Sequence, residues 1–314
     1  MLKGFFWSLL AYAAYSSHDA LVKVLRDYSI FQIIFFAMLF GLVPFSLSRL
    51  RDPNPVSLRP VKPGWVTARS CFGVGSLVFA FSAFKQLPMV QVYVLLFLTP
   101  LIVTIVAIPV LGERVHLIRW TAILVGLAGI LIVLRPSPQS LQWGHLFGFC
   151  AACCGAGGAI VARKVSAIEN RSTMILYPIL TTIAVCGIAT LFVYQPMPLQ
   201  DLLLMFGIGL LGLIGQSTIL QAFRHAPAAT IAPMQYSQLI WANFFGITFF
   251  GESIDRWILI GSAITVASGM LIIWRETRFS ATQPNLRTRN TRSVVAAPVV
   301  AVESERRDPF SPSI

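Results

Sequence analysis

The sequence predicts an all-α membrane protein of ten transmembrane helices, built as two inverted five-helix repeats. Three observations carry that prediction. The first is composition: 56% of the 314 residues are hydrophobic, 11% are charged, and the mean hydropathy is +0.75. A soluble globular chain carries roughly 25% charged residues, and a deficit of this size cannot be hidden in a water-soluble core. The second is the run YVLLFLTPLIVTIVAIPVLGE, Tyr93 to Glu113, which has no charge before its last residue. A bilayer core takes about 20 apolar residues at 1.5 Å rise each. Lipid-spanning helices also tolerate prolines such as Pro100 and Pro109 better than soluble ones do. The third is duplication: Ala232 to Glu252 reads APMQYSQLIWANFFGITFFGE. Laying Pro88 on Pro227 puts Gly112 on Gly251 and Glu113 on Glu252 at one constant offset. With one residue of slip, AGILIVLR (128–135) then falls on SGMLIIWR (268–275).

Ten apolar runs follow one another along the chain, roughly 4–23, 30–49, 65–84, 90–111, 118–135, 144–163, 172–194, 202–222, 229–250 and 256–275. The first resembles a signal peptide at Met1-Leu2-Lys3. It reads on through His18 and Asp19 without a clear cleavage site, however, and is taken as span one. Between spans two and three, RLRDPNPVSLRPVKP (49–63) is Pro-rich and basic, and its four prolines stop any helix from bridging the two. Residues 1–136 are expected to form the first repeat and 143–276 the second. The Arg-, Ser-, Thr- and Pro-rich stretch 277–314 is expected to be a disordered cytoplasmic tail.

The net charge of +12 is not read as a nucleic-acid footprint, because the basic residues lie between apolar runs and in the tail. With the amino terminus cytoplasmic, the inner segments carry fourteen Lys and Arg and the outer ones five, the far tail aside. This bias places both termini in the cytoplasm, and the protein is expected in the inner membrane. Because each repeat has an odd number of spans, the second enters with opposite polarity. Glu113 is then expected on the cytoplasmic side and Glu252 on the other. Inverted repeats are common in secondary transporters, with the substrate bound near the midplane between the halves.

Chemistry of other kinds finds no footing. The five cysteines, Cys71, Cys150, Cys153, Cys154 and Cys186, all lie inside apolar runs and read as small packing residues. No nucleophile elbow, phosphate loop, His-Glu-x-x-His or cluster of metal ligands is found. No catalytic residue, metal or cofactor is therefore expected, and any driving force comes from solute or ion gradients.

The doubled fourth and fifth spans, each pair joined at a Gly-Glu boundary, resemble the EamA module of the drug/metabolite transporter superfamily. The resemblance covers about 1–276. It implies ten helices in a five-plus-five repeat and a carrier of small polar or amphipathic metabolites that is not an enzyme. His18-Asp19-Ala20-Leu21-Val22-Lys23, Ala232-Pro233-Met234-Gln235-Tyr236 and Phe250-Gly251-Glu252 are similar to the branch holding S-adenosylmethionine and riboflavin carriers. Exporters of amino acids and drugs in the same superfamily remain alternatives, as does a non-transporting membrane scaffold or sensor.

Ionisable groups within a span are costly, and each is a functional candidate. Tyr12, Tyr15, Asp19 and Lys23 share one face of span one. Asp19 either binds a cationic substrate or coupling proton, or makes a structural pair with Lys23 or His18. On span nine, Met234, Gln238, Trp241 and Phe245 share a face, flanked by Gln235 and Tyr236. Rings beside amides suit a planar or amphipathic ligand, and interhelical hydrogen bonding is the other reading. Tyr93 and Phe97 form the matching stripe on span four. Arg69, one turn into span three, is expected to reach the headgroups, with cavity lining as the other reading. Glu113 and Glu252 are expected at helix ends or gates, paired with Arg114 or Arg119 and with Arg256. The partners expected are a small-molecule substrate and the lipid bilayer, with no nucleic acid; the sequence leaves open whether the chain forms a homodimer.

Overall fold

In hydrocarbon a backbone polar group has no water to bond, so each apolar run closes its hydrogen bonds along a helix. The computed structural model describes residues 2–50, 58–111, 117–134, 142–165, 168–225, 231–253 and 255–282, and the elements among them are all helical. The first three spans are α1 (Leu2–Val24), α2 (Ile30–Leu50) and α3 (Pro63–Gln86). The fourth consists of α4 (Met89–Leu96) and α5 (Leu98–Leu111), and the fifth is α6 (Leu117–Leu134). The second half runs α7 (Trp143–Val165), α8 (Arg171–Val193) and α9 (Leu199–His225). A 3₁₀ segment (Ala232–Ser237) then leads into α10 (Gln238–Phe250), and α11 (Arg256–Thr282) follows. Glu113 and residues 283–314, most of the expected tail, lie outside the described residues.

Among the described residues, Pro63–Gln86, Met89–Val110, Trp143–Val165, Ser172–Val193 and Leu199–His225 are each long and apolar enough to cross a membrane. Ile30–Val43, Leu124–Leu134 and Arg256–Ser268 are shorter apolar stretches. The surface matches a lipid solvent: Leu191, Phe192, Trp143 and Ile240 stand exposed, while Ala11, Ala14, Ala151, Ala152 and Ala156 are buried. Small residues let helix axes approach closely where lipid supplies no hydrophobic drive.

The packing repeats under exchange of the halves. The broadest interfaces are α3 on α7 and α1 on α9, and each is the image of the other when α1 is laid on α7 and α3 on α9. The contacts α2 on α9 and α3 on α8 form a second such pair, and α2 on α8 maps onto itself. Phe97 and Tyr236, separated by the same offset as Pro88 and Pro227, meet edge to face at 4.9 Å between ring centroids. That ring pair lies where the fourth and ninth spans meet their own images. The bundle occupies Met1–Trp274, and Arg275–Ile314 is a separate unit.

Both of these central spans are broken. Pro100 has no N–H to offer the Leu96 carbonyl, and α4 stops at Leu96. At Phe97 the chain turns on a backbone bond from Phe97 N–H to the Tyr93 carbonyl, 2.9 Å, and then resumes as α5. The ninth span opens as 3₁₀ helix instead. α6 and α11 cross where Gly129 faces Gly261. A Cβ on Gly129 would lie 2.6 Å from Thr265 Oγ1 and 2.8 Å from the Gly261 carbonyl.

Candidate substrate cavity between the halves

The two halves enclose a cavity of about 730 Å³, within the range of about 300–1,000 Å³ of small-molecule sites. Its wall is mostly apolar, with Phe81, Phe84, Phe97, Met38 and Leu77 contributing. The polar groups are few and come from several helices: Tyr15, His18 and Asp19 of α1, Arg69 of α3, Tyr93 of α4, Thr99 of α5, Gln216 of α9, and Gln235 and Gln238 at the start of the ninth span.

Asp19 is the acid on this wall, and its side chain is 14% exposed. Its Oδ1 lies 2.8 Å from His18 Nδ1, and the Tyr93 hydroxyl donates to Oδ2 at 2.5 Å. Tyr93 Oη is also 3.2 Å from the buried Ser16 hydroxyl. A carboxylate accepts and does not donate, so both of its oxygens are oriented here by neighbours. Tyr15 donates to Gln216 Oε1 at 3.0 Å, joining α1 to α9 across the cavity.

Lys23 does not pair with Asp19. It reaches the other way, donating to Glu252 and, at 2.8 Å, to the Leu87 carbonyl. Its ammonium also lies 5.1 Å from the centroid of the Phe250 ring. The Glu252 carboxylate in turn accepts from the Met89 N–H, at 3.1 Å to Oε2, where a helix N-terminus favours negative charge. Lys23 is thus the partner of Glu252, where the sequence suggested Arg256. The local chain makes this possible. Gly251 has φ +62°, a left-handed value that glycine adopts without cost, and it ends α10 so that Glu252 N–H bonds the Gly246 carbonyl at 2.9 Å. Gly246 leaves room for the carboxylate, since a Cβ there would lie 2.6 Å from Glu252 Oε2. Span four therefore begins at the Glu252 end of the bundle, and its other end, Leu111, leads toward Glu113.

More bonds join the helices beyond this latch. Tyr28, between α1 and α2, donates to Asp201 of α9, and that bond holds the Tyr28 hydroxyl above the ordinary tyrosine pKa. Gln32 Nε2 donates to the Gln195 carbonyl at 2.8 Å. Ahead of α3, the Glu169 carboxylate from the other half accepts the backbone N–H groups of Val61, at 3.2 Å, and Lys62, at 2.5 Å.

Of the residues singled out in the sequence, Tyr15, Asp19, Tyr93, Phe97, Gln235 and Gln238 come together on the cavity wall. Tyr12 lies behind Tyr15, at 6.4 Å between ring centroids, and outside the lining. Tyr236 is buried against Phe97, and Trp241 stands half-buried beyond the lining. The 3₁₀ segment, with three residues per turn, eclipses Gln235 with Gln238 and so brings both to the wall. Gln216 was missed in the sequence, although an amide within span eight is itself a signal under the rule that flagged Gln235. Arg69, expected at the headgroups, lines the cavity.

Two successive matches to the EamA-like transporter family model cover residues 2–135 and 142–274. The chain is 27% identical to the S-adenosylmethionine uptake transporter of Rickettsia bellii over 281 residues, covering 87% of this chain and 94% of that protein. It is 27% identical to the pseudopaline exporter CntI of Pseudomonas aeruginosa, over 86% of this chain and 93% of that one. The riboflavin transporter of Vibrio cholerae is 28% identical over 73% of this chain and 78% of its own length. A solved crystal structure shares the fold with a TM-score of 0.60 at 18% identity, covering 86% of this chain and 95% of that chain. The chain belongs to the EamA-like transporter family, and it is a membrane transporter of small metabolites.

Proposed function

We propose that the protein is a secondary carrier of the inner membrane that moves a small amphipathic metabolite by alternating access and transforms no solute. The observation that carries this reading is the cavity between the halves. It offers one oriented carboxylate, Asp19, amides from Gln216, Gln235 and Gln238, and aromatic walls from Phe81, Phe84 and Phe97. Asp19 binds a cationic group or a coupling proton, the amides orient the solute, and the rings cover its flat or apolar part. The relatives point to S-adenosylmethionine and riboflavin as first solutes to try, and the aromatic wall adds aromatic amino acids. Residues 1–136 and 143–276 act as the two rocking halves, and 277–314 is a cytoplasmic tail. Both termini are cytoplasmic on the lysine and arginine bias. The Lys23–Glu252 latch closes the outer end, and Glu113 serves the equivalent role at the inner end. The cavity lies within one chain, so a homodimer would hold two independent routes.

Counterflow in proteoliposomes tests this against S-adenosylmethionine, riboflavin and the aromatic amino acids. A carrier exchanges labelled for unlabelled solute across the bilayer. Correctly inserted protein that moves none of them points to a scaffold, and fast flux without counterflow points to a channel. Cysteines introduced by Glu113→Cys and Glu252→Cys must label from opposite sides. Labelling from one side alone rules out inverted repeats.

A further inference from the structure

The Arg69 guanidinium is a cation at the cavity wall for which the carrier reading, as stated above, has no use. Its setting is specific. Pro178 sits inside α8 and has no N–H, so the Met174 carbonyl four residues before it loses its helical partner. Arg69 Nη1 of α3 donates to that carbonyl. Arg69, Met174 and Pro178 all line the cavity. Arg69 Nε is buried and has no hydrogen-bond partner. Among the described residues no carboxylate lies within ion-pair distance of this guanidinium: Asp19 is paired with His18, and Glu252 with Lys23. Native interiors rarely leave a charged donor unmet, and each such group calls for an explanation.

We propose that Arg69 is an oxyanion subsite that receives a carboxylate or phosphate group of the transported solute. The proposal rests on the carrier reading and adds the substrate's second pole to it. Arginine's planar fork pairs with a carboxylate or phosphate through two parallel N–H···O bonds. With Nη1 tied to α8, the edge formed by Nη2 and Nε is the one left for a ligand, and a shift of the covered Nε toward the cavity lets a bound oxyanion satisfy the orphaned donor. Pro178 is what makes the anchor, because only a residue without an N–H frees the Met174 carbonyl for a side chain. The opposite pole is Asp19. Arg69 is eighteen residues before Leu87 on its strand of the bundle, and Asp19 is four before Lys23, which bonds Leu87. At 1.5 Å per residue the fourteen-residue difference puts the two backbone positions roughly 21 Å apart along the bundle. Asp19 and Arg69 thus stand as two separate poles of the cavity, and Arg69 reads a solute's acidic group independently of any cation at Asp19.

The test uses solute pairs that differ in one acidic group: S-adenosylmethionine and its decarboxylated form, tryptophan and tryptophanamide, riboflavin 5′-phosphate and riboflavin. Each is assayed for counterflow with the full chain in proteoliposomes. The acidic member of at least one pair is expected to be exchanged with a KM tenfold or more below that of its partner. Arg69→Gln abolishes that difference while the partner solute still moves, which shows the variant is folded. Arg69→Lys recovers only part of it. Pro178→Ala, which returns an N–H to the Met174 carbonyl and removes the anchor, weakens the acidic member selectively. Asp19→Asn instead impairs both members of the cationic pairs. Exchange without preference for the acidic member, or equal losses for both members in Arg69→Gln, overturns the oxyanion subsite and leaves the carrier reading standing. Absence of exchange for every solute overturns the carrier reading and the subsite with it.

Discussion

Removing Lys23 should destabilise the protein more than removing Lys23 and Glu252 together. The Lys23 ammonium has three neighbours, the Glu252 carboxylate, the Leu87 carbonyl and the Phe250 ring face. The two side chains are 12% and 13% exposed. Truncating one partner of a buried ion pair costs about 3–5 kcal/mol, because the other charge is left uncompensated, whereas replacing both by neutral groups is often near neutral. Residual exposure argues for the lower end, about 3 kcal/mol for Lys23→Met, which corresponds to roughly a hundredfold change in a conformational equilibrium. Glu252→Gln should cost less, because an amide oxygen still accepts the Met89 N–H. The double variant should recover most of the loss. A double-mutant cycle on thermal unfolding of the purified protein measures this directly. A second cycle, on the rate at which a thiol reagent added from the Glu252 side labels a Thr99→Cys probe in the cavity, reports opening. If the single losses simply add in the double variant, the pair is uncoupled and does not hold this end closed.

Three further outcomes follow from the same geometry. Asp19→Asn should lower counterflow of a cationic solute at least tenfold with little change in unfolding temperature, while Tyr93→Phe, which removes one hydrogen bond to that carboxylate, should lower it several-fold; proteoliposome kinetics on the two variants distinguish these sizes. Gly129→Ala should destabilise the protein by about 1–3 kcal/mol in thermal unfolding, because its Cβ meets Thr265 and the Gly261 carbonyl at under 3 Å. Gly246→Ala should behave like Glu252→Gln in the labelling assay, since it displaces the carboxylate without removing it.

Much of this molecule was legible in the residues. Lipid-length apolar runs, a Gly-Glu boundary used twice and a constant offset between halves are properties of the chain itself. They settled the helical class, the repeat and the transporter family. Polar groups within spans also stood out, because hydrocarbon penalises each one; Asp19, Gln235 and Gln238 were marked in that way, and Tyr93 by the aromatic stripe it forms with Phe97. What the sequence could not decide is which neighbour each group meets. Lys23 had an acid four residues away on its own helix, and yet it pairs with Glu252 from the other half. Arg69 had a headgroup layer within reach, and yet it bonds a carbonyl that Pro178 frees on another helix.

The same division holds inside the ninth span. Its residues made a polar helix whatever its register. A 3₁₀ start, packed against α1 and, through Tyr236, against Phe97, put Gln235 and Gln238 on the cavity wall, while Trp241 stands beyond it. Helix formation in lipid is local, because each backbone N–H finds its acceptor four residues away. The choice of partners for side chains is not local, since it is made only when segments hundreds of residues apart in the chain close upon one another.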